Sequence, residues 1–138
     1  NVQLYPPGDL NTDMLAKLYA AGARIFSMSW GSPDSNCYSS YAVMVDEFMW
    51  NNPDALVVFA AGNSGTSGSY SVVTPSTAKS CVTVGASYNM MQTSFGLENN
   101  IQYVAYFSSI GPTADGRLKP DVVAPGYYIR SAHNGETC

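Results

Sequence analysis

The run Ala60-Ala61-Gly62-Asn63-Ser64-Gly65 holds the residue types best suited to chemistry in this chain. It follows directly on Leu56-Val57-Val58-Phe59, an apolar stretch that reads as a buried strand. Open parallel sheets bind ligands at the carboxyl ends of their strands, so a loop in this position lies where reactions usually occur. Gly62 lets the backbone approach a ligand closely, and Asn63 supplies a side-chain amide donor. The same residues also suit a plain strand-to-loop turn, because Asn and Gly tolerate unusual backbone angles. The motif alone leaves both readings open. A phosphate-binding loop fits less well, since neither G-x-G-x-x-G nor G-x-x-x-x-G-K-[ST] is present.

Ser29-Trp30-Gly31 closes an earlier strand-like run in the equivalent position. Two neighbouring strand ends finishing in small residues can bracket a cleft that takes an extended peptide by strand addition, although each alone also reads as ordinary structure. Thr74-Pro75 favours a tight turn and can adopt the cis form. Cys37, Cys81 and Cys138 are odd in number and lack C-x-x-C spacing, which argues against a metal site. One disulfide with one thiol left over is compatible with that count, as is a partner for Cys138 outside the chain.

Positioning such loops requires strands backed by helices. Asn11 to Gly22 reads as a short amphipathic helix, with Asn11 or Thr12 as cap, Leu15, Leu18 and Tyr19 on one face, and Gly22 as a left-handed terminator. Arg24 to Trp30 then reads as a strand, stopped by Gly31-Ser32-Pro33. A second helix starts at Ser39 or Ser40, carries Val43, Met44, Phe48 and Met49 at helical spacing, and ends near Asn51-Asn52-Pro53. Leu56 to Ala61 has no polar alternation, the pattern of a strand buried on both faces. Cys81 to Ala86 reads as another strand and Tyr103 to Phe107 as a further one; Ser108 to Pro120 reads as loop, and Val122 to Ala124 is a short apolar run closed by Pro125-Gly126. Tyr19, Phe26, Phe48, Phe59 and Phe107 are expected in the core, Tyr41 and Trp50 between helix and sheet. Asp46, Glu47 and Asp54 are expected as solvated helix-end charges rather than a calcium site. Alternating helix and buried strand gives an α/β fold, a mostly parallel sheet covered by helices, without repeat or linker.

Composition bounds the function classes. The 138 residues suffice for one ordinary domain. Only 12% are charged while 46% are apolar, as in a chain that hides much of its surface inside a larger fold. A net charge of -4, with Lys and Arg scattered, argues against nucleic acid or an anionic membrane as partner. No apolar run reaches the roughly 18 residues of a membrane span. The start, Asn1-Val2-Gln3, has no signal-peptide pattern and reads as a mid-protein cut or a processed end.

Six segments in order resemble the subtilisin-like serine peptidases: Ser29-Trp30-Gly31, Val57 to Gly65, Thr74-Pro75-Ser76, Val82 to Ala86, Phe107 to Pro112, and Gly116 to Gly126. The resemblance implies the C-terminal half of a subtilisin-like catalytic domain over residues 1–138, needing no cofactor and no metal. It implies that Asn63 is the side-chain donor of the oxyanion hole, acting where negative charge develops in the tetrahedral intermediate. It also implies that Ser29, Trp30 and Gly31 pair with substrate backbone and form one wall of the primary specificity pocket. Ala60, Ala61 and Gly62 form the other wall. Small residues on both walls leave room for a sizeable apolar side chain. The expected partners are a peptide or protein substrate and the remainder of the catalytic domain, and the implied location is secreted or vesicular.

The family's triad motifs, Asp-[ST]-Gly, His-Gly-Thr-His and Gly-Thr-Ser-Met-Ala, do not occur here. Asp9, Asp13, Asp34, Asp46, Asp54, Asp115 and Asp121 lack the turn context, and His133, the only histidine, lies downstream of where the family's histidine belongs. The expectation is that the triad lies beyond both ends, so that the chain alone is inactive and its uncovered apolar faces favour self-association. The rival reading is a non-catalytic peptide-binding module with the same fold. A nucleotide-binding protein would need the phosphate loop that is missing.

Overall fold

The computed structural model describes residues 9–32, 36–93, 96–99 and 102–129, with backbone alone for those between 90 and 99. Asn1 to Gln3, Pro33, Asp34, Arg130, His133 and Cys138 lie outside the described residues.

The first helical segment runs through a π-helical turn, Asn11–Leu15, into α1, Ala16–Ala20. Its cap is Asp9, whose Oδ1 accepts from the Thr12 amide at 3.0 Å, so the capping residue stands earlier than Asn11 or Thr12. Gly22, at φ +102°, ends it as expected, with its amide on the Tyr19 carbonyl at 2.9 Å. Leu15 is buried and Tyr19 packs against the core, whereas Leu18 points outward.

Four strands form one parallel sheet in the order β1, β2, β3, β6. They are β1 Ile25–Met28, β2 Leu56–Ala60, β3 Val82–Ser87 and β6 Val122–Pro125. Ile25 pairs with Leu56, Val58 with Val82, and Val84 with Val122. Between β1 and β2 runs α2, Ser40–Asn51, capped by Ser39, whose Oγ accepts from the Ala42 amide at 3.4 Å. Asn52 closes it by donating Nδ2 to the Phe48 carbonyl at 2.8 Å, and Pro53 prevents continuation. Two further strands, β4 Met90–Thr93 and β5 Gly96–Asn99, make an antiparallel hairpin that the sequence pattern did not announce.

The core lies on one face of the sheet. Phe26, Met28, Val57 and Phe59 project from the strands against Ala42, Val45 and Phe48 of α2 and against Leu10 and Leu15. Phe48 meets Phe26 edge-on at 5.4 Å and Tyr19 at 5.9 Å. The other face is uncovered among the described residues: Ile25, Leu56 and Val122 are exposed, and β2 alternates rather than being buried on both sides. An apolar run therefore overstated the coverage of β2, because it reports what a strand can bury and not what lies against it.

Other expectations also change. Trp50 is 85% exposed at the outer side of α2 and does not join helix to sheet, while Tyr41 packs against Trp30 at 6.2 Å. Tyr103 to Phe107 is not a strand; Val104 makes only an isolated bridge to Ser87. Phe107 is half-buried in a cluster with Tyr106 and Tyr127 rather than in the core. Asp46 is not a loose helix-end charge: it accepts from the Tyr38 hydroxyl and from the Lys79 and Ser80 amides at 2.7, 3.0 and 2.7 Å. Asp54 pairs with Arg24 at 2.8 Å and accepts from the Tyr19 hydroxyl at 2.6 Å. Cys37 and Cys81 are not joined by a disulfide.

Candidate functional site

All four sheet strands run the same way, so their carboxyl ends lie along one edge and the loops that follow them gather there. Past β1 come Ser29, Trp30 and Gly31; past β2 comes the Ala61 to Ser64 loop; β6 ends at Pro125 and Gly126. Ser29, Trp30, Gly31, Ala60, Gly62, Asn63, Ser64 and Val73 line a cleft of about 300 Å³. A wider groove of about 420 Å³ opens on the uncovered face above β1, β2, β3 and β6, again bordered by Asn63. Asn63 thus stands where the two depressions meet.

The walls follow from local packing. β1 is an edge strand, which leaves its continuation at Ser29 to Gly31 beside open space. A Cβ on Gly31 would come within 2.7 Å of Val73 Cγ2 and 2.9 Å of the Thr74 carbonyl, so only glycine lets this strand lie so close to residues 73–74. The Ser32 amide fixes that approach by donating to the Thr74 carbonyl at 2.9 Å. Thr74-Pro75 is cis, and the Ser39 hydroxyl is hydrogen-bonded to that of Thr74. Trp30 is held half-buried by edge contacts with Phe59 at 5.5 Å and with Tyr41.

On the opposite wall Gly62 adopts φ +111°, and a Cβ there would meet Ser109 Oγ at 2.8 Å and Val73 Cγ1 at 2.9 Å. Asn63 is exposed, and no hydrogen bond from the described residues engages its amide group. Ala61 does not line the cleft. It is buried beneath the loop, its amide on the Val84 carbonyl at 2.9 Å and its carbonyl accepting from Val73 at 3.0 Å. The structure therefore brings Ser29, Trp30, Gly31, Ala60, Gly62 and Asn63 together and sets Ala61 behind them.

Ser64 and Val73 also line the cleft, and the sequence had not singled them out. Val73 follows an otherwise polar stretch, Gly65 to Ser71, and only the tertiary return of the chain brings it beside Gly31. The support comes from the Phe107 to Ile110 segment. The Gly65 amide donates to the Phe107 carbonyl at 2.8 Å, the Ser64 amide to Ser109 Oγ at 3.0 Å, and the Ala86 amide to Ser108 Oγ at 2.9 Å. No charged side chain among the described residues lines the cleft. Among the described residues, no group of three or more His, Cys, Asp or Glu side chains is placed to hold a metal ion.

A second polar device holds β6 to β3. Lys119 is buried, and its Nζ donates to the Cys81 carbonyl at 2.9 Å and to Asp121 Oδ2 at 2.6 Å. The same carboxylate accepts from the Thr83 amide at 2.7 Å. Burial would raise the Asp121 carboxyl, but the hydrogen bonds from Lys119 and Thr83 outweigh it and leave the group below the ordinary aspartate range. This register carries Pro125 and Gly126 to the groove.

Known proteins resemble this chain in sequence and in fold. A family model described as the Subtilase family matches residues 7–138. The chain is 32% identical to the serine protease/ABC transporter B family protein tagD of Dictyostelium discoideum, over 97% of this chain and 11% of that protein. It is 35% identical to pyrolysin of Pyrococcus furiosus, over 83% of this chain and 9% of pyrolysin. The chain thus spans about a tenth of the length of these curated relatives. The solved structure of the prenylagaramide maturation protease PagA superposes with a TM-score of 0.53 at 18% identity, covering 80% of this chain and 34% of that one, a likeness of fold. With the motif order, the parallel sheet and a family match over nearly all residues in agreement, the chain belongs to the subtilase family.

Proposed function

We propose that this chain forms the substrate-binding and oxyanion-stabilising side of a serine endopeptidase. The observation that carries the reading is the exposed amide of Asn63 at the carboxyl end of β2, unengaged among the described residues and bordering both the cleft and the groove. In acyl transfer the nucleophilic serine attacks the scissile carbonyl, whose oxygen becomes negatively charged in the tetrahedral intermediate. A donor already aimed at that oxygen stabilises the charge without reorganising. The Asn63 amide is suited to that task because the backbone around it is pinned while its own donors remain available. Ser29 to Gly31, continuing an edge strand, take the substrate backbone by strand addition. The Asp, His and Ser of the triad come from the remainder of the catalytic domain, which covers the open face and its groove.

The test is Asn63→Ala in the complete peptidase. kcat should fall ~10²–10³-fold with KM nearly unchanged, a magnitude taken over from a subtilisin asparagine in this role rather than derived from this geometry. An unchanged kcat would remove the oxyanion assignment. The 138-residue chain serves as the blank, and serine-inhibitor-sensitive hydrolysis by it would overturn the placement of the nucleophile elsewhere.

The cleft also sets a substrate preference. Its walls are Gly, Ala, Ser, Val, Asn63 and the half-buried Trp30, without a carboxylate among the described residues to pair with a cation. A sizeable apolar side chain ahead of the scissile bond should be preferred. Cleavage profiling of the complete peptidase on a peptide library checks this, and strict cutting after Lys or Arg would contradict it.

A further inference from the structure

We infer that Ser109 is the positioning residue for Asn63, a role that rests on the oxyanion reading above. Ser109 is 2% exposed and grips the loop from both sides of Asn63. Its Oγ accepts from the Ser64 amide at 3.0 Å, and its own amide donates to the Gly62 carbonyl at 3.0 Å. The two peptide groups that flank Asn63 are thus tied to one residue, leaving the Asn63 side chain as the part that projects.

Steric fit tightens the grip. Gly62 lies so close to Ser109 Oγ and Val73 that no side chain fits between them. Ser109 is fixed in turn, because the neighbouring Ser108 Oγ accepts from Ala86 of β3 and Ile110 donates its amide to Ser71 Oγ at 2.8 Å. The loop after β2 is therefore referenced to β3 through the 107–110 segment. A donor that must meet a developing charge without rearranging needs such a reference, since small misplacements of a catalytic group are costly. The hydroxyl at 109 is the only side-chain group among the described residues that hydrogen-bonds the 62–64 backbone.

Removing that hydroxyl should loosen Asn63 without touching substrate. In the complete peptidase, Ser109→Ala should lower kcat about tenfold at unchanged KM, less than the loss of the donor itself. Amide hydrogen exchange at Ser64 should quicken in the same variant. In an Asn63→Ala background, Ser109→Ala should change kcat no further, because a residue acting through Asn63 has nothing left to position. Thr113→Val, which removes a buried hydroxyl that bonds only within the 113–117 turn, should lower thermal stability while leaving kcat in place.

A full tenfold loss persisting in the Asn63→Ala background would overturn the inference, as would unchanged exchange at Ser64 or an equal kcat loss in Thr113→Val. These failures leave the oxyanion assignment standing provided that Asn63→Ala alone lowers kcat. An Asn63→Ala enzyme with full kcat removes that assignment and the positioning role with it.

Discussion

Asp46 shows how a charge on a helix surface can be structural. Its carboxylate receives three hydrogen bonds, tying α2 to the 79–80 turn just before β3 and to the Tyr38 hydroxyl before α2. Burial alone would raise its pKa; the bonds from Lys79, Tyr38 and Ser80 oppose this and bring the carboxyl below its usual range. The Tyr38 phenol moves the other way, pushed up to about 12 by burial and then by its bond to Asp46. A carboxyl depressed in the folded state contributes stability that is complete above its unfolded pKa, near 3.9, and is lost as the pH falls through the folded value. The melting temperature should therefore hold through neutral pH and drop below about pH 4. Asp46→Asn should cost ~1.5–3 kcal/mol at pH 7, the range for hydrogen bonds to a charged group, and should shrink the acid-induced drop. Some drop will persist, because Asp121 is also depressed and Asp115 is held at about 2 by Arg117 and Thr113. Urea unfolding at pH 7 and pH 3 measures both effects, and an identical acid loss in the two proteins would show that Asp46 contributes nothing to it.

At the scale of elements, α2 separates residues that look equivalent in sequence. Phe48 and Trp50 are both large, apolar and two positions apart, yet Phe48 is 1% exposed and Trp50 85%. Two positions on a helix differ by about 200°, so one lies against the sheet while the other faces away. Phe48→Ala should cost about 3–5 kcal/mol, and Trp50→Ala should stay within about 0.5 kcal/mol. Thermal melts of the two variants decide it; comparable losses would mean that Trp50 is covered in the folded protein. This helix also marks what the sequence made legible. Its limits at Ser39 and Asn52-Pro53 were readable because capping and proline chemistry are local. Three strands of the sheet, β1, β2 and β3, were readable from their apolar runs, and the loop of Asn63 from its glycines, whereas β6 showed only as a short apolar run. The β4–β5 hairpin was not, because Met90 to Asn99 offers neither strict alternation nor a two-residue Asn-Gly turn. Tyr103 to Phe107 misled for the opposite reason: aromatic content favours strands, but here Tyr106 and Phe107 serve an edge-to-face cluster with Tyr127. The place of Ala61 behind the cleft was hidden as well, since successive strand residues face opposite ways and only the register fixes which face is which.

For the molecule as a whole, the feature that bears on behaviour in solution is the sheet face left open among the described residues. Parallel register puts Ile25 beside Leu56, Val58 beside Val82, and Val84 beside Val122, giving an apolar surface that crosses all four strands. Ile25 is 71% exposed and Val122 51%. Monomeric proteins rarely leave a contiguous apolar area of this kind in water, and the edges of β1 and β6, unpaired among the described residues, add hydrogen-bonding groups ready to meet another strand. We propose that the isolated chain associates with itself through this face. Sedimentation velocity should show the average mass rising with concentration. Ile25→Lys combined with Val122→Lys should suppress the rise without lowering the melting temperature, since both side chains already reach solvent. A wild-type chain that stays monomeric at high concentration and melts cooperatively would mean that this surface needs no cover. The 138 residues would then be a folding unit in their own right, and a catalytic half supplied by further chain would have to dock on a face already stable in water.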